Sequence, residues 1–247
     1  PLADTIHAAL AAKVPVREIL EIILQCAVYG GHTTVDPAIE LFHRIAGEEG
    51  LLDELKKSQL PLDGVTKSRN LENERPTWRV PDSKFPEREA MMQKYGWHGI
   101  SAGIRLQPTH HAETVIQFDR LDQNYLKLWL DFIYAGMYVR GILDDKTRLL
   151  CMVGNCVAVG EGHEGRAHMK GALRKGAKPR EILEVILQSC TNFGMPSMLK
   201  ALKIFVKLME EDGRAAEIGN PPLVAFAAGS RAIARPWSCP IAGNERV

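Results

Sequence analysis

Glu161, Glu164 and His168 stand three and four residues apart in the segment GEGHEGRAHMKGALRKG, residues 160–176. At 3.6 residues per turn, that spacing puts all three side chains on one face of a helix. A carboxylate one turn before an imidazole can orient the ring and raise its pKa, which suits proton transfer near neutral pH. Arg148, Arg166, Lys170 and Arg174 lie close by in sequence. Cationic side chains there could hold a carboxylated substrate. The same residues also fit a solvated helix face with ordinary surface charge. Spacing alone leaves both readings open.

Other reactive side chains carry weaker signals. Gly160, Gly162 and Gly165 imitate a phosphate loop, but no strand precedes them. Cys151 and Cys156 have four residues between them, which is not a redox C-x-x-C. His163 is expected to face solvent. His110 and His111 are adjacent, and neighbouring side chains point apart on a helix or strand, so no metal site is expected. Trp97 and His98 form an aromatic–histidine pair in a long connection, and long connections are often functional. They are candidates to cap a substrate pocket.

Helices must position these groups, and the chain carries one helical pattern twice. Sliding residues 1–50 onto 164–213 brings REILEIILQ (17–25) onto REILEVILQ (180–188). Fifteen of the fifty positions are identical, without a gap. A repeated helical unit must bury its apolar stripe against another unit. Helices are expected over 3–12, 16–29 and from Asp36-Pro37 to about 46. Ile19, Ile22, Ile23 and Cys26 form a buried stripe at helical spacing. Further helices are expected at 120–136, 145–159, 163–175, 179–192 and 196–211. Asp144 is a candidate N-cap and Gly176 a stop. Five prolines punctuate 51–117, so that stretch reads as an irregular connection with one short helix at 87–95. Residues 214–247 read as an irregular tail. The domain reading is therefore 1–50, a partial first repeat; 51–117, the connection; 118–213, the full unit; and 214–247, the tail. In this register Pro1 falls opposite Glu164, so the first repeat is expected to lack its front half.

Composition sets outer bounds. Hydrophobic residues make up 45% and charged residues 25% of 247 residues, with a net charge of +1. That suits a soluble globular protein and gives no reason to expect nucleic acid or a membrane as partner. No apolar run reaches the eighteen or so residues of a membrane span. The five cysteines are an odd number without disulfide-framework spacing. A reducing, cytoplasmic setting is expected.

Residues 118–213 resemble the carboxymuconolactone decarboxylase family, within the alkyl-hydroperoxidase-D-like superfamily. The resemblance rests on FIYAGMYVRGILDDKTRLL (132–150), EGRAHMKGALRKGAKPREILEVILQ (164–188) and the Gly194–Pro196 turn. Residues 1–50 resemble the back half of the same domain. The peroxidase branch of this superfamily carries C-x-x-C-x-x-x-H. With its His on His168, both cysteine positions fall on Glu161 and Glu164, so thiol peroxidase chemistry is not expected. The decarboxylase branch has Glu four residues before the His, within E-L-R-x-H. Glu164-Gly165-Arg166-Ala167-His168 fits that spacing. Decarboxylases of the family often carry another His where this chain has Gln188, and the first repeat has Thr5 opposite His168.

The resemblance implies an all-α fold of two tandem helical units. It implies a homo-oligomer, a trimer of tandem chains forming a pseudo-hexamer, with its site between helices. It also implies a cofactor-free lyase acting on a small carboxylated lactone or related ring acid. Glu164 and His168 would be catalytic. Arg148, Arg166, Glu161, Trp97 and His98 are the substrate-binding candidates from charge, spacing and the long connection, not from the resemblance. A hydrolase or isomerase using the same pair, and a non-catalytic oligomeric binding protein, stand as alternatives.

Overall fold

The computed structural model describes residues 2–60 and 85–219, and among them every regular element is helical. The first segment holds α1 (Leu2–Ala11), α2 (Val16–Gln25), α3 (Ala27–Gly30), α4 (His32–Glu48) and α5 (Leu52–Lys57). After the undescribed stretch come α6 (Arg88–Tyr95), α7 (Trp97–Leu106), α8 (Pro108–Leu121) and α9 (Gln123–Trp129). A π-helical stretch (Leu130–Tyr138) leads into α10 (Asp145–Val159), α11 (Gly162–Arg174) and the long α12 (Pro179–Glu211).

Local chemistry explains the boundaries. The Asp144 carboxylate accepts the Thr147 amide at 3.0 Å and so caps α10. Gly160 ends α10 in the left-handed region at φ 72°, where a β-carbon would be strained. Helix α12 bends at Gly194, whose φ of 82° and ψ of 165° interrupt helical geometry. Gly31 takes the same turn at φ 70° and ψ 172° between α3 and α4. These are equivalent positions in the sequence repeat. Two further equivalent pairs, Lys13/Gly176 and Gly50/Gly213, also have positive φ.

Several expectations require correction. Residues 51–117 are not an irregular connection with one short helix, because α5, α6, α7 and most of α8 fall within them. Pro108 opens α8 at its first position, where the missing N–H costs nothing. Ile100, Ala102, Ile104, Leu106, Ala112 and Val115 from this stretch are all buried in the main core. Pro61, Pro76 and Pro81 lie outside the described residues, as do residues 220–247 with Cys239. Asp36-Pro37 does not start a helix. Gly31 makes the break, α4 begins at His32, and Pro37 lies inside it. The expected helix over 120–136 is instead the end of α8, then α9, then the π-helical stretch.

Two apolar clusters form. The smaller gathers Ile6, Val16, Ile19, Ile23, Val35, Phe42 and Ile45 from α1, α2 and α4. The larger runs through α6 to α12. Helices α2 and α3 pack on α10 and join the two clusters. At that seam Arg148 is 1% exposed and Glu21 0%. Arg148 Nη2 donates to Glu21 Oε1 at 2.8 Å, and Nη1 donates to Gln25 Oε1 at 3.2 Å. Arg140 Nε donates to the second Glu21 oxygen at 2.9 Å. Arg148 is therefore a structural interlock and not a substrate-binding residue, which corrects the sequence expectation. Both charges are out of water, and each makes the other tolerable.

Removing one partner leaves the other charge buried and alone. We expect Glu21→Ala to destabilise the fold by about 3–5 kcal/mol, measured by urea denaturation. A loss below about 1 kcal/mol would show that Arg148 finds water or another acceptor.

Candidate active site

The site forms where α3, α7, α8 and α11 meet. Helix α11 starts at Gly162, and the Glu161 carboxylate caps it by accepting the His163 amide at 2.8 Å. Glu161 is thus spent on a helix end and does not line the basic cleft described below, contrary to expectation. One turn on, Glu164 reaches two partners from different parts of the chain. Its Oε1 lies 2.7 Å from His110 Nε2, and its Oε2 accepts the Tyr29 hydroxyl at 3.3 Å. His168 is fully buried. Its Nε2 lies 2.6 Å from the Tyr29 oxygen, and its Nδ1 lies 3.0 Å from Gln107 Nε2. Glu164 therefore does not orient His168 directly. The Tyr29 hydroxyl stands between them.

The donors run in one consistent direction. Tyr134 donates to Gln107 Oε1 at 3.4 Å. The Gln107 amide nitrogen then donates to His168 Nδ1, which places the ring proton on Nε2. That proton goes to the Tyr29 oxygen, and Tyr29 donates in turn to Glu164. His110 supplies the last bond to the same carboxylate. The tautomer of His168 follows from the orientation of the Gln107 amide.

Close packing sets these distances. A β-carbon at Gly171 would sit 2.7 Å from the Leu106 carbonyl oxygen. Only glycine lets α11 approach the end of α7 so closely. That approach brings Gln107, the next residue, to His168.

A cleft of about 390 Å³ opens beside this network. Helix α8 contributes Thr109, His110 and Glu113, and Gln107 lies at its base. Helix α11 contributes His163, Arg166, Lys170 and Arg174. Arg166 is ion-paired with Glu211 at the edge. The lining is strongly cationic, with Glu113 as its one carboxylate. His163 is exposed, as expected, and its ring meets that of His110 edge-on at 4.9 Å. His110 and His111 diverge: His110 lines the cleft, while His111 is fully buried among Trp129 and Tyr134. Trp97 and His98 do not cap the cleft. They open α7, and Trp97 packs against the main core.

Burial and partners set the charge states. Burial pulls His168 down to about 4 against the opposing charge of Glu164. It is therefore neutral at pH 7, where the sequence spacing suggested a raised value. Burial likewise takes His111 down to about 3. His110 is different: its bond to Glu164 raises it, and burial only partly opposes that. Burial pushes Glu164 up, but the bond to His110 and the His110 charge outweigh it, and the net shift is downward. Burial also pushes Tyr29 well above the usual phenol range, so its proton stays on. Cys156, behind Tyr29, is pushed up to about 12 by burial and holds no thiolate near neutrality.

Of the residues expected from sequence, the structure brings Glu164, His168 and Arg166 to this region. It does not bring Arg148, Glu161, Trp97 or His98. Sequence reasoning missed Tyr29 and Gln107. It marked His110 as a residue of a long connection, a kind that is often functional, and as half of a rejected metal pair, without linking it to Glu164. Tyr29 falls opposite Asn192 in the repeat, so the repeat carried no hint of it. The signal for His110 was Pro108, which as a helix opener sets His110 in the first turn.

Residues 123–207 match the model of the carboxymuconolactone decarboxylase family. This segment belongs to that family. It is also similar to an uncharacterized 15.0 kDa protein of Paracoccus denitrificans, from the nqo9-nqo10 intergenic region, at 36% identity over 89 residues. The match covers 35% of this chain and 63% of that relative. No solved structure matches the chain. Glu164 and His168 lie inside the family segment, whereas Tyr29, Gln107 and His110 lie outside it.

If Gly171 sets the spacing, Gly171→Ala must push α11 from α7. We expect a loss of about 1–3 kcal/mol, read as a lower Tm in thermal unfolding. An unchanged Tm would mean that the Leu106 carbonyl yields without cost.

Proposed function

We propose that the chain is a cofactor-free carbon–carbon lyase of the decarboxylase type, acting on a small carboxylated lactone or related ring acid. The observation that carries this reading is the cationic cleft lying directly against the Glu164–His168 network. An anionic substrate would be drawn in by Lys170 and Arg174, with Arg166 at the edge. Partly enclosed charges bind carboxylates more strongly than the same charges in bulk water. When the scissile C–C bond breaks, its electron pair stays on the substrate carbon and delocalises into the ring carbonyl. The cations lower the cost of that developing oxyanion. A proton from the network centred on Glu164 then completes the product. The family segment supports the chemical class, and the Glu164–His168 spacing supports its decarboxylase branch.

The direct test supplies carboxymuconolactone and measures carbon dioxide. One carbon dioxide per substrate consumed is expected. Product formation without it would instead establish a hydrolase or isomerase using the same groups. Glu164→Gln should lower kcat by roughly 10²–10⁴-fold, the usual worth of positioned acid–base catalysis. Lys170→Ala with Arg174→Ala should raise KM by about tenfold or more, and an unchanged KM would remove the cleft from substrate binding.

A further inference from the structure

We propose that His110 is the group that hands the proton to the bound molecule, and that His168 stands behind it as a buried positioning residue. This rests on the acid–base reading above and assigns the atom that carries its proton.

The two rings differ in access. His110 lines the cleft, and its Nε2 is committed to Glu164 at 2.7 Å. Its Nδ1 is therefore the nitrogen left to serve a molecule in the cleft. His168 is 0% exposed, and both of its nitrogens are taken, at 2.6 Å and 3.0 Å. A proton leaving His168 would have to pass through Tyr29 or Gln107. Tyr29 holds one oxygen of Glu164 while the other meets His110. The first segment of the chain thus aims the carboxylate at the ring that faces the cleft. By this geometry Tyr29 is also a positioning residue.

The electrostatic surroundings agree. Glu164 bonds His110 and raises it, and Glu113 on its own helix adds to that. The His163 ring lies edge-on to it from α11. His111, its neighbour on α8, and His168 behind it are both held neutral by burial. Arg166, Lys170 and Arg174 face the same cleft and oppose a positive ring. The bonded carboxylate is the closest of these charges. With its pKa raised, the acid form of His110 is present below that pKa and is lost as pH rises through it.

The step balances. Carbon dioxide leaves without the C–C electron pair, which remains on the substrate. Protonated His110 gives its Nδ1 proton to that carbon and keeps the N–H electron pair. Neutral His110 retains the Nε2 proton bonded to Glu164. Solvent entering the cleft restores the Nδ1 proton.

The test is imidazole-nitrogen NMR on the full chain, with phthalate as a small dicarboxylate probe. His110 should titrate above 6.5, its ordinary value, and Glu164→Gln should bring it down towards that value. Phthalate should shift the His110 resonances and leave His168 unchanged. His168 should stay neutral between about pH 5 and 9. His110→Asn assigns one ring. His168→Asn assigns the other or, should that variant not fold, Tyr29→Phe marks His168 by removing its Nε2 partner. In the carbon dioxide assay, His110→Asn should cost roughly 10²–10⁴-fold. Titration of His168 within that range, or a phthalate response at His168 and not His110, would overturn the proposal. So would turnover by His110→Asn at the parental rate. If the parent chain releases no carbon dioxide from carboxymuconolactone, the lyase reading fails, and the imidazole titration still decides the role of His110.

Discussion

The structure depends on one buried contact, the guanidinium of Arg148 against the carboxylate of Glu21. Neither charge could stay out of water without the other. The pair fixes α2 on α10, and α3 follows α2 directly. Two turns beyond Glu21 the same segment delivers Tyr29 to His168 and Glu164. One end of this seam is thus a structural lock, and the other is part of the chemistry. A shift of α2 along α10 would break both.

Three histidines in one region show how burial divides the work of a single residue type. His168 and His111 are both fully enclosed and held neutral. His110 keeps contact with the cleft and has a carboxylate partner, so its charged form is favoured. The side chains are chemically identical. Their states differ because desolvation penalises the imidazolium, while a bonded anion stabilises it. The tyrosines follow the same rule in reverse. Burial keeps the Tyr29 and Tyr134 protons in place, so they transmit hydrogen bonds without ionising.

The site is assembled from parts remote in sequence. Glu164 and His168 belong to the carboxymuconolactone decarboxylase segment, but the groups that bond them come from residues 29, 107 and 110. Close backbone contacts make this possible. Gly171 lets α11 touch the end of α7, and Gly103 leaves room for the His111 ring, which a β-carbon there would meet at 2.1 Å. Glycine at these points trades a side chain for proximity.

Much was legible in the sequence because it is local. The 3.6-residue period marked α2, α10, α11 and α12, the Asp144 cap was visible, and Glu164 with His168 stood out by spacing. The all-helical fold followed from the same patterns, and the family segment from the resemblance carried by residues 132–150 and 164–188. Residues 97–117 were misread because the prolines of 51–117 suggested breaks, whereas Pro108 opens a helix. Arg148 and Glu161 were misassigned because charge and spacing do not reveal a partner. Only the tertiary structure showed that one is consumed by Glu21 and the other by a helix end. It alone set the order of the hydrogen-bond chain and the level of burial at each imidazole. Period and capping are properties of a few consecutive residues and so are written in the chain. Desolvation and long-range pairing depend on which surfaces meet, and those exist only once the helices have packed.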